Sequence, residues 1–292
     1  MVVWSWNPKV DGNVLFENMP YVMNRYRFIR KNPRYVLYSK HSQRKLISGK
    51  FVKIFLTSES ISPKMNECDW AFGFNLEEEI RDDRYMRMPN YVRLGAGVNL
   101  IKPKSYSPVD ILKSKRKFCT FIYSNRSANV RNEFFKRLSK YKKVDSPGKV
   151  FNNMPMIGGF KTTQELEYHL RNSMYKKYDM KVEFLRDYKF VISFENKEFL
   201  GYTSEKIYHA MLANCLPIYW GNPAINEDFN TGSFINYYDH GSMDAVIDRI
   251  VQLDKDHDLY MKCLAQPWYP NNRVTRYTDE DRILNRFRRI FG

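Results

Sequence analysis

Several patterns that define common classes of protein are missing from this 292-residue sequence. No stretch approaches the roughly 18 consecutive apolar residues of a membrane-spanning helix. Met1–Trp4 lead into polar sequence without the apolar core of a signal peptide. The cysteines are far apart and form no C-x-x-C pair, which excludes the usual zinc and disulfide spacings; they are Cys68, Cys119, Cys215 and Cys263. We therefore expect a soluble, cytoplasmic protein with reduced and buried thiols.

Motifs for nucleotide, metal and triad chemistry are missing as well. The sequence contains no G-x-x-x-x-G-K-[ST] loop, and no G-x-G-x-x-G follows a predicted strand. The five histidines are scattered, and no spacing typical of a metal site or a catalytic triad occurs. These absences exclude P-loop enzymes and the common dinucleotide-binding dehydrogenases.

The chain is instead rich in positive charge and in aromatic residues. Lys and Arg number 48 against 32 Asp and Glu, which gives a net charge of +16. This balance favours an anionic partner: nucleic acid, an anionic membrane surface or a phosphorylated substrate. The 21 tyrosines would suit stacking on nucleic-acid bases. Because no known binding motif occurs and the charge is spread along the chain, a basic nucleic-acid-binding protein is the alternative rather than the main hypothesis.

The order of apolar runs predicts an α/β fold. In the first half, strands are predicted at 35–38, 51–56 and 69–74, followed by a long loop and linker over 75–117. In the second half, strands are predicted at 118–123, 188–194 and 216–220 and helices at 129–141 and 204–213, with another helix capped by Ser242. Alternating strands and helices indicate βαβ units and a parallel sheet. The change of composition indicates a domain boundary near residue 110.

The sequence ends in an amphipathic helix predicted from Asp279 to Phe291. Its apolar stripe contains Ile283, Leu284, Phe287, Ile290 and Phe291, and most of its arginines lie off that stripe. One interpretation is peripheral association with an anionic membrane. The other is a terminal helix that packs on the core with solvated arginines.

Two candidate sites lie where a predicted strand ends and a helix begins, which is where α/β sheets bind ligands. In the first, Asn125 ends a strand and Arg131 lies in the first turn of the next helix, which Ser127 or Asn129 is predicted to cap. The free amides at a helix start and an arginine side chain can both donate hydrogen bonds to a phosphate group. In the second, Glu205 and Lys206 lie in the first turn of a predicted helix. The carboxylate can accept hydrogen bonds from sugar hydroxyls, and the lysine can neutralise a phosphate. Ordinary helix starts with no ligand remain the structural alternative for both.

A third candidate is Glu59, directly after the strand predicted at 51–56. A single carboxylate among small polar residues at the end of a buried strand suits a general base. A polar turn with a solvated glutamate is the alternative. The acidic run Glu77–Glu79 is a rival for the base, although such runs are more typical of solvated loops.

Several segments resemble the α1,3/4-fucosyltransferase family over roughly residues 50 to 255. The family's donor signature of Phe-Glu-Asn, a spacer and Tyr-x-Thr-Glu-Lys is matched by Lys189–Asn196 and Tyr202–Lys206. Further similarity lies in Asn125 with Arg131 and in Leu216–Pro223. The segments 57–63 and 83–89 resemble bacterial members. The sequence departs from the signature at Lys197 and Ser204, and 161–183 looks like an insertion relative to compact members.

The resemblance implies two Rossmann-like domains facing a central cleft, the arrangement called GT-B. It implies an acceptor-binding domain at 1–110, a GDP-fucose-binding domain at 111–270, and a terminal helix at 271–292 that packs back on the first domain. The implied reaction is the inverting transfer of L-fucose from GDP-fucose to O3 or O4 of N-acetylglucosamine or glucose in an oligosaccharide. A related transferase with another sugar-nucleotide donor is the alternative.

The resemblance also implies a role for each candidate residue. Glu59 would be the general base, Arg131 and Lys206 would bind the diphosphate, and Glu205 would bind ribose or fucose hydroxyls. The same pocket would be lined by Asn125, Asn196 and Tyr202. The family does not depend on a bound metal, so we expect no cofactor, and we expect GDP-fucose and an oligosaccharide as partners without nucleic acid.

Overall fold

The computed structural model describes residues 3–5, 16, 19–26, 34–39, 51–157 and 174–292. Within these ranges the strands are β1 Val3–Ser5, β2 Tyr35–Tyr38, β3 Val52–Leu56, β4 Trp70–Gly73, β5 Tyr85–Arg87, β6 Lys117–Thr120, β7 Val144–Asp145, β8 Tyr188–Ile192, β9 Leu216–Tyr219 and β10 Ile235–Asn236. The α-helices are α1 Pro20–Met23, α2 Glu77–Ile80, α3 Asn90–Arg93, α4 Ala96–Asn99, α5 Pro108–Ser114, α6 Asn129–Tyr141, α7 Met174–Leu185, α8 Glu205–Leu212, α9 Tyr237–His240, α10 Met243–Lys255, α11 His257–Ala265 and α12 Glu280–Phe291.

The chain forms two compact units. The first unit contains Met1–Asn99, Phe199–Ser204 and Val274–Gly292, and the second contains Leu100–Glu198 and Glu205–Arg273. Neither unit is therefore a single continuous stretch of sequence. The short segment Phe199–Ser204 and the C-terminal segment both belong to the same unit as the first sheet.

The first unit is built on a parallel sheet in the order β1-β2-β3-β4-β5. Every residue of β2 is buried, which explains why that strand is a continuous apolar and aromatic run rather than an alternating one. The strands predicted at 35–38, 51–56 and 69–74 are confirmed. Both edge strands, β1 and β5, are three residues long and were not predicted.

Helix α12 completes the aromatic core of this first unit. The ring of Phe287 lies 5.4 Å from that of Phe16 and 5.7 Å from that of Phe72, measured between centroids. Every member of the predicted apolar stripe is buried: Ile283, Leu284, Phe287, Ile290 and Phe291. The apolar stripe therefore packs inside the protein. The apolar stripe that a lipid-binding role of this helix would use is therefore buried in the first unit.

The arginines of α12 also contact the first unit rather than solvent alone. Arg282 pairs with Glu77, and Arg289 pairs with Asp83 at 3.0 Å. Arg286 donates a hydrogen bond to a backbone carbonyl of β5 at 3.1 Å. The Arg289 pair is exposed, and exposed pairs contribute little to the free energy of unfolding, so the buried stripe is the main contact that holds the helix in place.

Residues 75–117 are not the long irregular linker that the sequence predicts, because they contain α2 to α5 and β5. Glu77–Glu79 occupy the first turn of α2, where the helix dipole favours negative charge, and the last of them accepts a hydrogen bond from the Leu76 amide at 3.0 Å. Ser107 caps α5, with Pro108 at its first position. Each of these elements is only three to seven residues long, which is too short for periodicity to reveal.

The first boundary between the units lies between Asn99 and Leu100, whereas composition indicated residue 110. Leu100 is buried, and the ammonium group of Lys102 donates hydrogen bonds to the carbonyls of Leu264 and Gln266 in the second unit. These contacts assign the segment before α5 to the second unit. A change of amino-acid composition indicates where loops end, whereas a unit is defined by the hydrophobic core against which its segments pack.

The second unit is built on a parallel sheet in the order β10-β9-β8-β6-β7. All five residues of β8 are buried at its centre. The predicted strands at 118–123, 188–194 and 216–220 and helices at 129–141 and 204–213 are confirmed with small changes of bounds, and Ser242 caps α10 as predicted. The α/β architecture with parallel sheets is therefore confirmed. The edge strands β7 and β10 have two residues each and were not predicted.

Part of the predicted insertion at 161–183 lies outside the described residues, which resume at Met174 with α7. In the part of the chain that the structure describes, no helix is both long enough and apolar enough to span a membrane. The four cysteines form no disulfide; three of them are buried and Cys263 is half-buried.

Candidate functional site

The strand order of the second sheet reverses between β6 and β8. From β6 the chain passes to β7 on one side, and it then crosses back to β8 on the other side of β6. In open α/β sheets, ligands bind in the crevice at such a switch point, beyond the carboxyl ends of the strands. The loops after β6 and β8 carry the first two candidate sites, so the topology brings distant parts of the sequence together.

Arg131 joins these two loops. It lies in the first turn of α6 and is completely buried. Its Nη1 donates a hydrogen bond to Oδ1 of Asn196 at 2.8 Å, and its Nη2 donates to the carbonyl of Asn125 at 2.8 Å. Three of the predicted residues therefore form one hydrogen-bonded network.

The ring of Tyr123 packs against the guanidinium group of Arg131. The guanidinium carbon lies 3.8 Å from the centroid of the tyrosine ring, and a cation–π contact at a desolvated position contributes up to about 2 kcal/mol. The hydroxyl of Tyr123 donates to the carbonyls of Ile192 and Phe194, at 2.7 and 3.0 Å, which ties the β6 loop to the end of β8. Burial raises the pKa of Tyr123, so the hydroxyl remains a donor. The sequence analysis missed this residue.

The start of α6 is not capped by a side chain. We predicted Ser127 or Asn129 as the cap, but the N-cap residue is Ala128, which has no side-chain acceptor. The side chain of Asn125 instead accepts a hydrogen bond from the Ser127 amide at 2.9 Å and shapes the loop. The first amides of a helix have no partner within it, so the start of α6 adds N–H groups and a positive dipole end to the charge of Arg131.

A buried ion pair lies on the β8 side of the site. Nζ of Lys206 is 3.0 Å from Oε2 of Glu195, and the two side chains are 14% and 0% exposed. A fully buried carboxylate is tolerated as an anion only with such a partner. Glu195 therefore fixes the position of Lys206. The sequence analysis did not propose Glu195, although a carboxylate directly after a buried strand was the available signal.

Glu205 begins α8 beside this pair. Its Oε1 is 3.8 Å from Nζ of Lys206, and its side chain is 26% exposed. Burial alone would raise the pKa of Glu205, but the positive charges of Lys206 and Lys181 lower it to about 2. The carboxylate is therefore ionised at neutral pH and can only accept hydrogen bonds, as a group that binds sugar hydroxyls must.

Gly221, which follows β9, approaches Glu195 more closely than a side chain would permit. Its φ is +140°, and an added Cβ would lie 2.4 Å from Cβ of Glu195. We expect Gly221→Ala to lower the free energy of unfolding by about 1–3 kcal/mol, because it adds backbone strain and a clash. Denaturant unfolding measures this. Gly241→Ala is the control, since Gly241 has a φ of +75° but no neighbour within 4 Å. Equal losses in the two variants would show that the contact with Glu195 is unimportant.

Tyr202 is also predicted to line the donor pocket. It lies in Phe199–Ser204, which belongs to the first unit. Tyr202 is 3% exposed, and its ring packs edge-on against that of Phe74 with the centroids 4.6 Å apart. Its place in the donor pocket stays a prediction.

Glu59 follows β3 in the first unit. Its amide donates to Oγ1 of Thr57 at 2.9 Å, and its carbonyl accepts from the Ile61 amide at 2.8 Å, so a tight turn fixes its backbone. The side chain is exposed, and no described residue donates a hydrogen bond to its carboxylate. An exposed carboxylate on a fixed turn is suited to accepting a proton.

The second unit thus concentrates groups that bind anions and hydroxyls at one end of its sheet. The guanidinium of Arg131, the ammonium of Lys206 and the amides at the start of α6 suit phosphate oxygens. Asn196 and Glu205 suit hydroxyl groups. Among the described residues, no group of three or more His, Cys, Asp or Glu is arranged to hold a metal ion.

Two parallel α/β sheets, with such an anion site at the switch point of the second, define a fold of the GT-B glycosyltransferase type. The model of "Glycosyltransferase family 10 (fucosyltransferase) C-term" matches residues 112–286, and that of "Alpha-(1,3)-fucosyltransferase FucT N-terminal domain" matches residues 11–94. The chain belongs to glycosyltransferase family 10, the fucosyltransferases. The resemblance found in the sequence is therefore confirmed.

Curated relatives agree with this assignment. Alpha-(1,3)-fucosyltransferase FucT of Helicobacter pylori is 33% identical over 256 residues, which cover 77% of this chain and 49% of the relative. Putative fucosyltransferase R654 of Acanthamoeba polyphaga mimivirus is 32% identical over 168 residues, which cover 58% of this chain and 26% of the relative. The chain thus spans about half of the first relative's length and about a quarter of the second's.

Solved structures support the fold. A crystal structure of an alpha1,3-fucosyltransferase is 26% identical and matches with a TM-score of 0.77, covering 99% of this chain and 89% of the other. A structure of an alpha1,3-fucosyltransferase with GDP-fucose is 25% identical and matches with a TM-score of 0.75, over 99% and 90% of the two chains. The predicted fold class is confirmed.

Proposed function

We propose that the protein transfers L-fucose from GDP-fucose, with inversion, to O3 or O4 of N-acetylglucosamine or glucose in an oligosaccharide. The observation that carries the proposal is the buried Arg131, which joins Asn125 to Asn196 at the switch point of the second sheet. Membership of family 10 and the similarity to a structure titled with GDP-fucose support the choice of donor.

In this proposal the second unit binds the donor. Arg131, Lys206 and the amides at the start of α6 bind the diphosphate, and their positive charge offsets the two negative charges of Glu195 and Glu205. Glu205 accepts hydrogen bonds from ribose or fucose hydroxyls. Asn125 and Asn196 complete the same site. Tyr202, whose ring packs on that of Phe74, is the remaining residue proposed for the donor pocket.

The proposed reaction is a single displacement. Glu59 removes the proton from the acceptor hydroxyl as that oxygen forms a bond to the anomeric carbon of fucose. The bond from that carbon to the β-phosphate oxygen breaks on the opposite face, and GDP leaves with the electron pair. Cationic groups that are already in place stabilise the charge developing on GDP at low cost of reorganisation. Arg131 and Lys206 supply that charge here.

We propose that the reaction needs no metal ion or other cofactor. The cations that would neutralise the leaving GDP are side chains of the protein itself. We expect the transfer rate in excess EDTA to equal the rate without it, which a coupled assay for released GDP measures. A rate that falls in EDTA and recovers on addition of Mg²⁺ or Mn²⁺ would contradict this part of the proposal.

Titration calorimetry with EDTA present tests the donor directly. GDP-fucose, GDP-mannose and UDP-galactose are each titrated into the protein, and we expect heat of binding from GDP-fucose above all. A preference for another nucleotide sugar would favour a related transferase with a different donor. Binding of single-stranded RNA without binding of any nucleotide sugar would reject the proposal in favour of a nucleic-acid-binding protein.

We also propose a cytoplasmic location. The disulfide-free cysteines support a reducing compartment. Peripheral membrane association through α12 is not part of the proposal, because the apolar face of that helix is buried in the first unit.

A further inference from the structure

The segment after β7, residues 146–153, is closed by its own side chains, and we call it the Gly148 loop. Oδ1 of Asn153 accepts a hydrogen bond from the Ser146 amide at 2.8 Å, and Nδ2 of Asn153 donates to a backbone carbonyl of β7 at 2.9 Å. Oγ of Ser146 donates to the carbonyl of Val150 at 2.7 Å. Side-chain bonds of this kind give a short loop a fixed shape in place of regular secondary structure. The Gly148 loop therefore has a defined position at the end of β7.

The Gly148 loop packs directly on the backbone of Tyr123, which follows β6. A Cβ added at Gly148 would lie 2.6 Å from both the amide nitrogen and the carbonyl oxygen of Tyr123. The Val150 amide donates a hydrogen bond to that same carbonyl at 3.1 Å. A side chain at position 148 would keep the two backbones apart, so the contact requires glycine. The loop and the backbone of Tyr123 are therefore held together by a close contact and a hydrogen bond.

Tyr123 connects the Gly148 loop to Arg131. Its backbone contacts the loop, its hydroxyl is bound to carbonyls at the end of β8, and its ring lies 3.8 Å from the guanidinium carbon of Arg131. The ring is therefore fixed at both ends. Arg131 is completely buried, and a close-packed interior leaves it no room to compensate for a displaced ring. The loop, Tyr123 and Arg131 all belong to the second unit.

We propose that Gly148 is a positioning residue for the diphosphate of the donor. Because it carries no side chain, the Gly148 loop can hold Tyr123 where the tyrosine ring orients the guanidinium of Arg131. Gly148 itself does not touch the donor. This inference rests on the function proposed above, in which Arg131 binds the diphosphate of GDP-fucose. A loop with a purely structural role would change the stability of the second unit without changing its affinity for GDP.

The test compares two asparagines that close loops of the second unit. Asn153→Ala removes the side chain that closes the Gly148 loop. Asn230→Ala is the matched control, because its side chain also accepts from one backbone amide, at 3.2 Å, and donates to one backbone carbonyl, at 2.9 Å, in the loop before β10. Gly148→Ala changes the loop by a second route. Its control is Gly241→Ala, since Gly241 has a φ of +75° but no neighbour within 4 Å.

Two quantities are measured on the whole chain of each variant. The first is the dissociation constant for GDP, by calorimetry. The second is amide hydrogen exchange of the peptides over residues 121–131, which contain Tyr123 and Arg131, and over residues 146–153.

We expect Asn153→Ala and Gly148→Ala each to raise the GDP dissociation constant about tenfold, as loss of a charged hydrogen bond between Arg131 and phosphate would. Amide exchange should become faster over 146–153 and also over 121–131. Neither control should change the GDP dissociation constant or the exchange of these peptides, even where it lowers the melting temperature as much. The KM for GDP-fucose should rise together with the GDP dissociation constant.

Three results would overturn the inference. Faster exchange over 146–153 with unchanged exchange over 121–131 would mean that the loop does not hold Tyr123. Faster exchange over both peptides with unchanged GDP affinity would mean that the loop does not position Arg131 for the diphosphate. Equal losses of GDP affinity in the controls would mean that the effect is not specific to the loop. If the wild-type chain does not bind GDP, the proposed function fails and the positioning role fails with it; the exchange data then show separately whether the loop holds Tyr123.

Discussion

We expect Glu59→Gln to slow fucose transfer by at least about a hundredfold, because a general base contributes about 10²–10⁴ to the rate. The amide keeps the size of the side chain but cannot take the proton of the acceptor hydroxyl. Glu59 lies in the first unit, and its backbone is held by Thr57, so the fold should be unchanged. The dissociation constant for GDP should therefore stay at the wild-type value. Steady-state transfer assays and calorimetry on the same preparation measure the two quantities.

Glu67→Gln is the matched control. Glu67 is another exposed carboxylate of the first unit, and its pair with Lys64 at 3.0 Å is exposed on both sides. We expect it to transfer at the wild-type rate. Wild-type transfer by Glu59→Gln would reject the base assignment and move attention to Glu77 and Glu78. Both of these already pair with arginines, Glu77 with Arg282 and Glu78 with Arg276. A backbone hydrogen bond and the contact with Arg276 lower the pKa of Glu78, which makes it a weaker base.

The second large effect is expected for Lys206→Ala, which should change both stability and binding. Removing the ammonium leaves Glu195 buried with its charge uncompensated, and breaking a buried pair in this way costs about 3–5 kcal/mol in the free energy of unfolding. It should also raise the GDP dissociation constant by about ten- to a hundredfold, the usual effect of losing a charged hydrogen bond to phosphate.

A double variant separates these two effects. Lys206→Ala with Glu195→Gln removes the buried charge, so we expect most of the stability to return while GDP affinity stays low. Lys189→Ala serves as the control, because Lys189 forms a buried pair with Asp254 at 2.9 Å in the same unit, although Asp254 also pairs with Lys142 at 3.0 Å. It should lose stability but keep GDP affinity. Recovery of GDP affinity in the double variant would show that Lys206 has only a structural role.

The sequence predicted much of the second unit because its signals are local. Helix α6 has its predicted bounds, since Val130, Phe134 and Leu138 repeat at helical spacing over 13 residues. The central strands are buried apolar runs. The edge strands were missed because two or three residues carry no periodicity.

The candidate site residues were predicted only in part, again because only some of their signals are local in the sequence. Arg131 and Lys206 could be proposed from their places at helix starts. The role of Tyr123 could not, because its hydrogen bonds to the end of β8 depend on the chain crossing back from β7 to β8 past β6. Local sequence does not reveal strand order. The assignment of Tyr202 to the first unit was missed for the same reason, since it depends on contacts such as the hydrogen bond from Arg87 to the carbonyl of Gly201, 114 residues later.

The return of α12 to the first sheet also has a consequence for biosynthesis. The rings of Phe16 and Phe72 are made before the second unit, but Phe287, which packs against both, is made after it. A growing chain therefore has to keep the aromatic surface of its first sheet out of water, or protected by chaperones, until the whole second unit and α12 have emerged from the ribosome. Genetic truncation before α12 should consequently yield inclusion bodies rather than a smaller folded protein.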